Sequence, residues 1–203
     1  MKKYFPNAIS IECKSPENVK YLASSGFSLD SQDKNYAELK GLYGDELAIV
    51  TYANTIKEES SIAHKAGRSA ELIMYNMIAS DILFLVKDTF PQFKEMTYLG
   101  VSAGGAVITK LVSFIGSASA RLILQAPDYP LDACLPQHKP LGNLVLDKIL
   151  LMWDLDDQKI PINRKDAVHQ DLAKHAKRID FAATSKGHMF DASVLRVICQ
   201  DKI

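Results

Sequence analysis

Along nearly the whole chain, short apolar segments rich in β-branched residues alternate with segments of helical period, and this alternation limits the fold more than any other feature. AISIEC and VKYLA read as strands, the second ending at the turn Ser24-Ser25-Gly26-Phe27. Ser31 to Tyr43 suits a helix that Gly41 weakens, and ELAIVTYA is a strand by its β-branched content. A long helix is predicted from about Ser69, a candidate cap, to Thr89, with Pro91 as its stop. MTYLGV, RLILQAP, KILLMW and RIDFAA then read as strands, interleaved with helices over GGAVITKLVSFI, NRKDAVHQDLAKHAK and DASVLRVICQDK. Strands this apolar cannot face water on either side, so the fold class is α/β, a mostly parallel sheet with helices on both faces. In such sheets ligands bind beyond the carboxyl ends of the strands.

Residues 1–203 are predicted to form a single domain, a length at which one hydrophobic core is ordinary. Lys plus Arg and Asp plus Glu each number 24, so no basic excess draws the chain onto nucleic acid or anionic lipid. The apolar stretch ELIMYNMIASDILFLVKD is broken by Asn76 and Asp81 and reads as a buried helix, so no membrane partner is expected. The start, MKKYFPNAISIECK, lacks the unbroken apolar core of an export signal. Cys13, Cys134 and Cys199 are odd in number, widely spaced and contain no Cys-x-x-Cys pair, which favours a reducing, cytoplasmic setting and no metal.

Residues 100–104, Gly-Val-Ser-Ala-Gly, stand where a strand segment gives way to a helix segment. A serine there can be a nucleophile held on a sharp, strained turn, where small neighbours are needed for close packing. It can equally be an ordinary glycine-rich corner. A base and an acid in suitable loops decide between the two.

Of five histidines, His188 in FAATSKGHMF follows the last strand segment, on a loop that Gly187 allows to turn. His169 and His175 read as the solvated face of a lysine-rich helix. His64 reads as part of a polar loop, and His138 sits in a proline-rich segment. WDLDDQKIP offers Asp154, Asp156 and Asp157 after the strand KILLMW. A carboxylate bonded to imidazole fixes its tautomer and stabilises the imidazolium formed when it takes a serine proton. The order serine, acid, histidine is the order of the hydrolases built on this motif.

On GVSAGG, DDQKIP and GHMF the chain resembles the α/β-hydrolase superfamily, from about Val19 to the carboxyl end. The resemblance implies that fold, with Ser102, Asp157 and His188 as catalytic residues. The superfamily's acid commonly precedes a hydrophobic residue and a proline as Asp157 precedes Ile160 and Pro161; Asp156 is the first reserve and Asp128 the second. The resemblance also implies an oxyanion hole made by the amides of Ala103 and Phe27, although relatives often carry His-Gly where this chain has Ser25-Gly26-Phe27. A rival oxyanion loop at Ala53-Asn54 leaves room for only one helix before Ser102.

The function expected on this basis is hydrolysis of a small ester or thioester through an acyl-enzyme, with a small-molecule acyl substrate and no cofactor. The alternative is a non-catalytic binding or scaffold protein on the same fold. A nucleotide-binding reading lacks both a Gly-x-Gly-x-x-Gly run and a Walker loop. The stretch Pro127 to Asn143, broken by Pro130, Pro136 and Pro140, is too short to roof a pocket, so a minimal cap and a preference for short acyl groups are expected.

Overall fold

The computed structural model describes residues 3–129 and 141–200. Most of the segment expected to form the minimal cap, with His138 and Cys134, lies outside them.

Seven strands form one sheet: β1 (Ile9–Glu12), β2 (Tyr21–Ser24), β3 (Leu47–Tyr52), β4 (Thr97–Ser102), β5 (Arg121–Pro127), β6 (Leu146–Asp154) and β7 (Ala176–Thr184). Their spatial order is β1-β3-β2-β4-β5-β6-β7, parallel throughout except for the antiparallel β1–β3 pair at one edge. Among the described residues six α-helices lie between or after them: α1 (Leu29–Tyr43), α2 (Asn54–Ala66), α3 (Arg68–Thr89), α4 (Ala103–Ile115), α5 (Lys165–Leu172) and α6 (Ala192–Gln200). Successive strand residues point to opposite faces. Leu22, Val50, Tyr98, Leu124 and Leu151 pack on one side with residues of α2 to α5. Ala23, Ile49, Leu99, Ile123 and Met152 pack on the other with Tyr36 and Leu39 of α1 and Leu195 of α6. The expected α/β architecture, mostly parallel with both faces covered, is therefore present.

Two expectations are corrected between β3 and β4. The polar stretch expected as a loop is α2, and His64 lies in its last turn. Helix α3 starts at Arg68, with Gly67 rather than Ser69 at the cap position. The rival Ala53-Asn54 loop is thus followed by two helices before Ser102, not one. Helix α3 is long and apolar enough by composition to cross a membrane, yet it packs as a core helix with Ile78, Ile82 and Val86 fully buried. Asp81, which interrupts its apolar run, is buried because its carboxylate accepts the backbone N–H groups of Tyr4 and Phe5 at 2.9 and 2.6 Å. Elsewhere α5 is shorter than expected, and His175 lies in a following turn, half-buried, with its ring Nδ1 at 3.2 Å from Leu144 O.

Candidate active site

The turn from β4 into α4 is built from glycines that the packing requires. A Cβ at Gly104 would lie 2.3 Å from Ser25 O and 2.5 Å from Ser24 O, and one at Gly100 would lie 2.6 Å from Gly105 Cα. No side chain fits at such distances, so the helix start can meet the end of β2 only as glycine. Ser102, between them, adopts φ 57° and ψ −131°. For a residue with a Cβ this costs about 1–3 kcal/mol, which the surrounding packing holds in place. Its carbonyl accepts the Asp128 N–H at 2.9 Å, tying the turn to the exit of β5.

The β2 loop lies beside this serine because β2 and β4 are neighbours, with Ser24 in register with Gly100. A Cβ at Gly26 would sit 4.0 Å from Ser102 Cβ. The loop is fixed from below: the Ser25 N–H donates to the Tyr36 hydroxyl at 3.1 Å, and Tyr36 in turn donates to Val50 O. Phe27 is buried edge-on against Tyr52, and its N–H donates to no acceptor among the described residues. Ala103, as the first residue of α4, has no intrahelical acceptor for its own N–H.

The acid turn follows β6. Asp157 Oδ1 accepts the N–H groups of Lys159 and Ile160 at 2.8 and 2.9 Å, closing the turn, and Trp153 Nε1 donates to Ile160 O at 2.8 Å. The other carboxylate oxygen, Oδ2, lies 2.7 Å from His188 Nδ1. The Asp157 side chain has no exposed surface and that of His188 is 9% exposed. A carboxylate accepts, so Nδ1 carries a proton, and in the neutral imidazole Nε2 then presents the lone pair. That Nε2 is buried and has no hydrogen-bond partner among the described residues. Asp156 has an exposed side chain and makes no contact with His188, and Asp128 bonds Arg68 and Tyr75 instead.

His188 reaches across the sheet top because its loop is anchored at both ends. Asp154 Oδ2 accepts the Gly187 N–H at 2.6 Å, and Asn35 Oδ1 on α1 accepts the Phe190 N–H at 2.8 Å. Asn35 Nδ2 donates to Ser31 O, and the Ser31 side chain packs beside Gly26, which borders Ser102. A continuous set of contacts thus joins the His188 loop to the Ser102 turn. No hydrogen bond joins His188 to Ser102 itself. Among the residues expected at the site, the structure brings Asp157 and His188 into contact and sets Ala103 and the Gly26 that precedes Phe27 beside Ser102. Sequence reading missed Asn35 and the clasping role of Asp154, because each acts on a residue distant along the chain.

Ser102 and Ala103 open onto a cleft of about 660 Å³ that also reaches Tyr75, Asp128 and Ile160. Its rim carries Arg68, Lys159 and Arg164. Burial alone would lower the Arg68 guanidinium, but the carboxylates of Asp128 and Glu71 beside it reverse this and hold it above its ordinary value. The Tyr75 hydroxyl is pushed up by burial and by Asp128, to which it donates at 2.9 Å. Among the described residues no group of three or more His, Cys, Asp or Glu side chains is placed to hold a metal ion.

No family model matches the chain, and no curated protein matches it in sequence. Solved structures do. YahD, in a structure with malic acid, superposes with a TM-score of 0.66 at 10% identity over 96% of this chain and 98% of its own. Dienelactone hydrolase from Anabaena variabilis gives 0.62 at 15% identity over 95% and 88%. The thermophilic esterase Est2 from Thermogutta terrifontis gives 0.61 at 13% identity over 99% and 88%. Strand order, the serine turn between β4 and α4 and these superpositions agree, and the chain has the α/β-hydrolase fold.

Proposed function

We propose that this chain is a serine hydrolase acting on a small ester or thioester. Ser102 is the nucleophile, His188 the base, Asp157 the residue that orients it, and the amides of Ala103 and Phe27 the oxyanion donors. The observation that carries the reading is the buried Asp157–His188 pair, which leaves Nε2 as an unpartnered lone pair at the sheet end where Ser102 is held in strained backbone. Hydrolase and esterase neighbours on the same fold support it.

In this mechanism His188 Nε2 takes the Ser102 hydroxyl proton as Oγ bonds to the acyl carbon. The carbonyl oxygen, now negative, accepts from the two amides, an interaction worth several kcal/mol because the donors are fixed beforehand. His188 then returns the proton to the departing alcohol or thiol. Water, activated by the same imidazole, releases the acid and restores Ser102. That no hydrogen bond joins Ser102 to His188 is compatible with this chemistry, since catalytic hydrogen bonds often tighten only with substrate. We place this activity in one cytoplasmic domain, on the sequence grounds given above.

The oxyanion loop, Ser25-Gly26-Phe27 where relatives often carry His-Gly, favours the second reading, a non-catalytic protein on the same fold. A fluorophosphonate probe separates the two. Labelling of the native chain that disappears in Ser102→Ala, together with loss of 4-nitrophenyl butyrate hydrolysis, supports the enzyme; an unlabelled native chain supports the scaffold.

A further inference from the structure

The cleft at Ser102 is lined by more cationic side chains than carboxylates, Arg68, Lys159 and Arg164 against Glu71 and Asp128. Both oxygens of Glu71 are taken, one by His64 at 2.7 Å and one by Arg68 at 3.1 Å. Asp128 is taken as well: Oδ2 accepts from Arg68 at 2.8 Å and from Tyr75 at 2.9 Å, and Oδ1 faces Arg164 at 3.8 Å. The cations are less committed. Arg164 donates to Tyr129 O at 3.1 Å and pairs with Asp128 only at 3.8 Å, beyond hydrogen-bond distance, so most of its five N–H groups have no acceptor among the described residues. Lys159 is exposed, and its ammonium has no partner among the described residues.

A purely structural account covers only part of this. The Arg68–Asp128 pair braces the start of α3 against the exit of β5, and needs neither Lys159 nor the spare face of Arg164. Nor is the cleft lined mainly by apolar side chains: Ala103, Ile160 and the Tyr75 ring stand among lining residues that are otherwise polar or charged.

We propose that this cleft selects acyl substrates bearing a second, ionised carboxylate, which Arg164 and Lys159 hold while the ester carbonyl lies at Ser102. The inference rests on the hydrolase reading and narrows it. A planar guanidinium takes a carboxylate through two parallel N–H bonds, and a flexible ammonium adds charge without fixed geometry. Substrate of this kind meets donors already in place, whereas an uncharged acyl group of the same size leaves them to water. The reaction is ordinary hydrolysis: monoethyl succinate and water give succinate and ethanol, with the distal carboxylate unchanged.

Monoethyl succinate and ethyl butyrate differ only in a terminal carboxylate in place of a methyl group, and pH-stat titration follows both. We expect kcat/KM for monoethyl succinate to exceed that for ethyl butyrate by at least about tenfold at low ionic strength, and the ratio to fall as salt screens the exposed ammonium. In Lys159→Gln, and more in Lys159→Gln/Arg164→Gln, that ratio falls towards one. Equal or better use of ethyl butyrate by the native chain, or a ratio unmoved by either variant, overturns the proposal while leaving the hydrolase standing. Calorimetric titration of succinate into Ser102→Ala separates the two failures. If no ester is turned over, the hydrolase reading falls; succinate uptake weakened by Lys159→Gln then still supports a carboxylate cleft, and no uptake removes it.

Discussion

The Asp154 carboxylate at the end of β6 accepts the Gly187 N–H at 2.6 Å with one oxygen and the Asp156 N–H at 2.8 Å with the other, so one buried side chain fixes both the acid turn and the histidine loop. Asp157 supplies the direct bond to His188, and Asp154 sets the distance across which that bond forms.

Asp154→Ala is therefore expected to loosen His188 without touching substrate. Turnover falls ten- to a hundredfold, roughly what a misplacement of about 1 Å costs. KM for ethyl butyrate changes little, and Asp154→Asn recovers part of kcat because its remaining oxygen accepts one of the two N–H groups. A fall in thermal stability with kcat unchanged would show that the clasp serves folding alone.

Asp157→Asn replaces the acceptor that fixes the imidazole tautomer, and is expected to cut kcat by on the order of 10³–10⁴-fold. Asp156→Asn, at an exposed side chain with no contact to His188, stays within about threefold of the native chain by the weak effect of surface substitutions. Steady-state hydrolysis of 4-nitrophenyl butyrate by both variants checks this, and the reverse order of severity would move the acid role off Asp157.

What was legible in the sequence was local. The alternation of periods, the glycines around Ser102 and the Asp157-x-x-Ile160-Pro161 turn are each written within a few consecutive residues, because the backbone conformation they need depends on nearest neighbours. Helix α2 was hidden for a physical reason: Ile56 is its buried residue, and Ala53 at its cap position supplies no side-chain acceptor. A helix with one buried apolar residue and no capping side chain offers few of the signals by which a helix is read from sequence. The anchors of the His188 loop were hidden for another. Asn35 and Phe190 are far apart in sequence, and their bond exists only because α1 and the loop between β7 and α6 meet. The same holds for the Arg68–Asp128 pair.

Gly104 and Gly41 make a matched test of the two uses of glycine. In Gly104→Ala the new Cβ would lie 2.3 Å from a backbone oxygen that cannot move without shifting β2, so the elbow distorts and both activity and stability fall. In Gly41→Ala nothing lies within 4 Å, and a helix interior gains about 0.5–1 kcal/mol from the replacement. Thermal unfolding should move in opposite directions for the two. A Gly104→Ala chain that keeps its melting temperature and its turnover would mean that α4 does not pack on β2 as closely as described.

Asp191, which precedes α6, links the site to pH. Burial would raise its carboxyl, but the Ser193 hydroxyl and the backbone N–H groups of Val194, Ser185 and Ser193 outweigh burial and hold it below the ordinary aspartate range. Oδ1 accepts from Ser193 Oγ at 2.5 Å and from Ser193 N at 3.0 Å, at the positive end of the helix dipole. A carboxyl whose value is depressed by folding contributes stability that is present above the unfolded value of about 3.9 and is lost as pH falls through the folded one. Asp191→Ala removes acceptor and charge together and is expected to cost about 1–2 kcal/mol at neutral pH, whereas Asp191→Asn keeps an acceptor and loses only the charge. The gap in melting temperature between the native chain and Asp191→Asn should accordingly be open at pH 7 and close below about pH 4. A gap of the same size at both pH values would mean that the charge contributes nothing, and that the hydrogen bonds alone hold the end of the His188 loop onto α6.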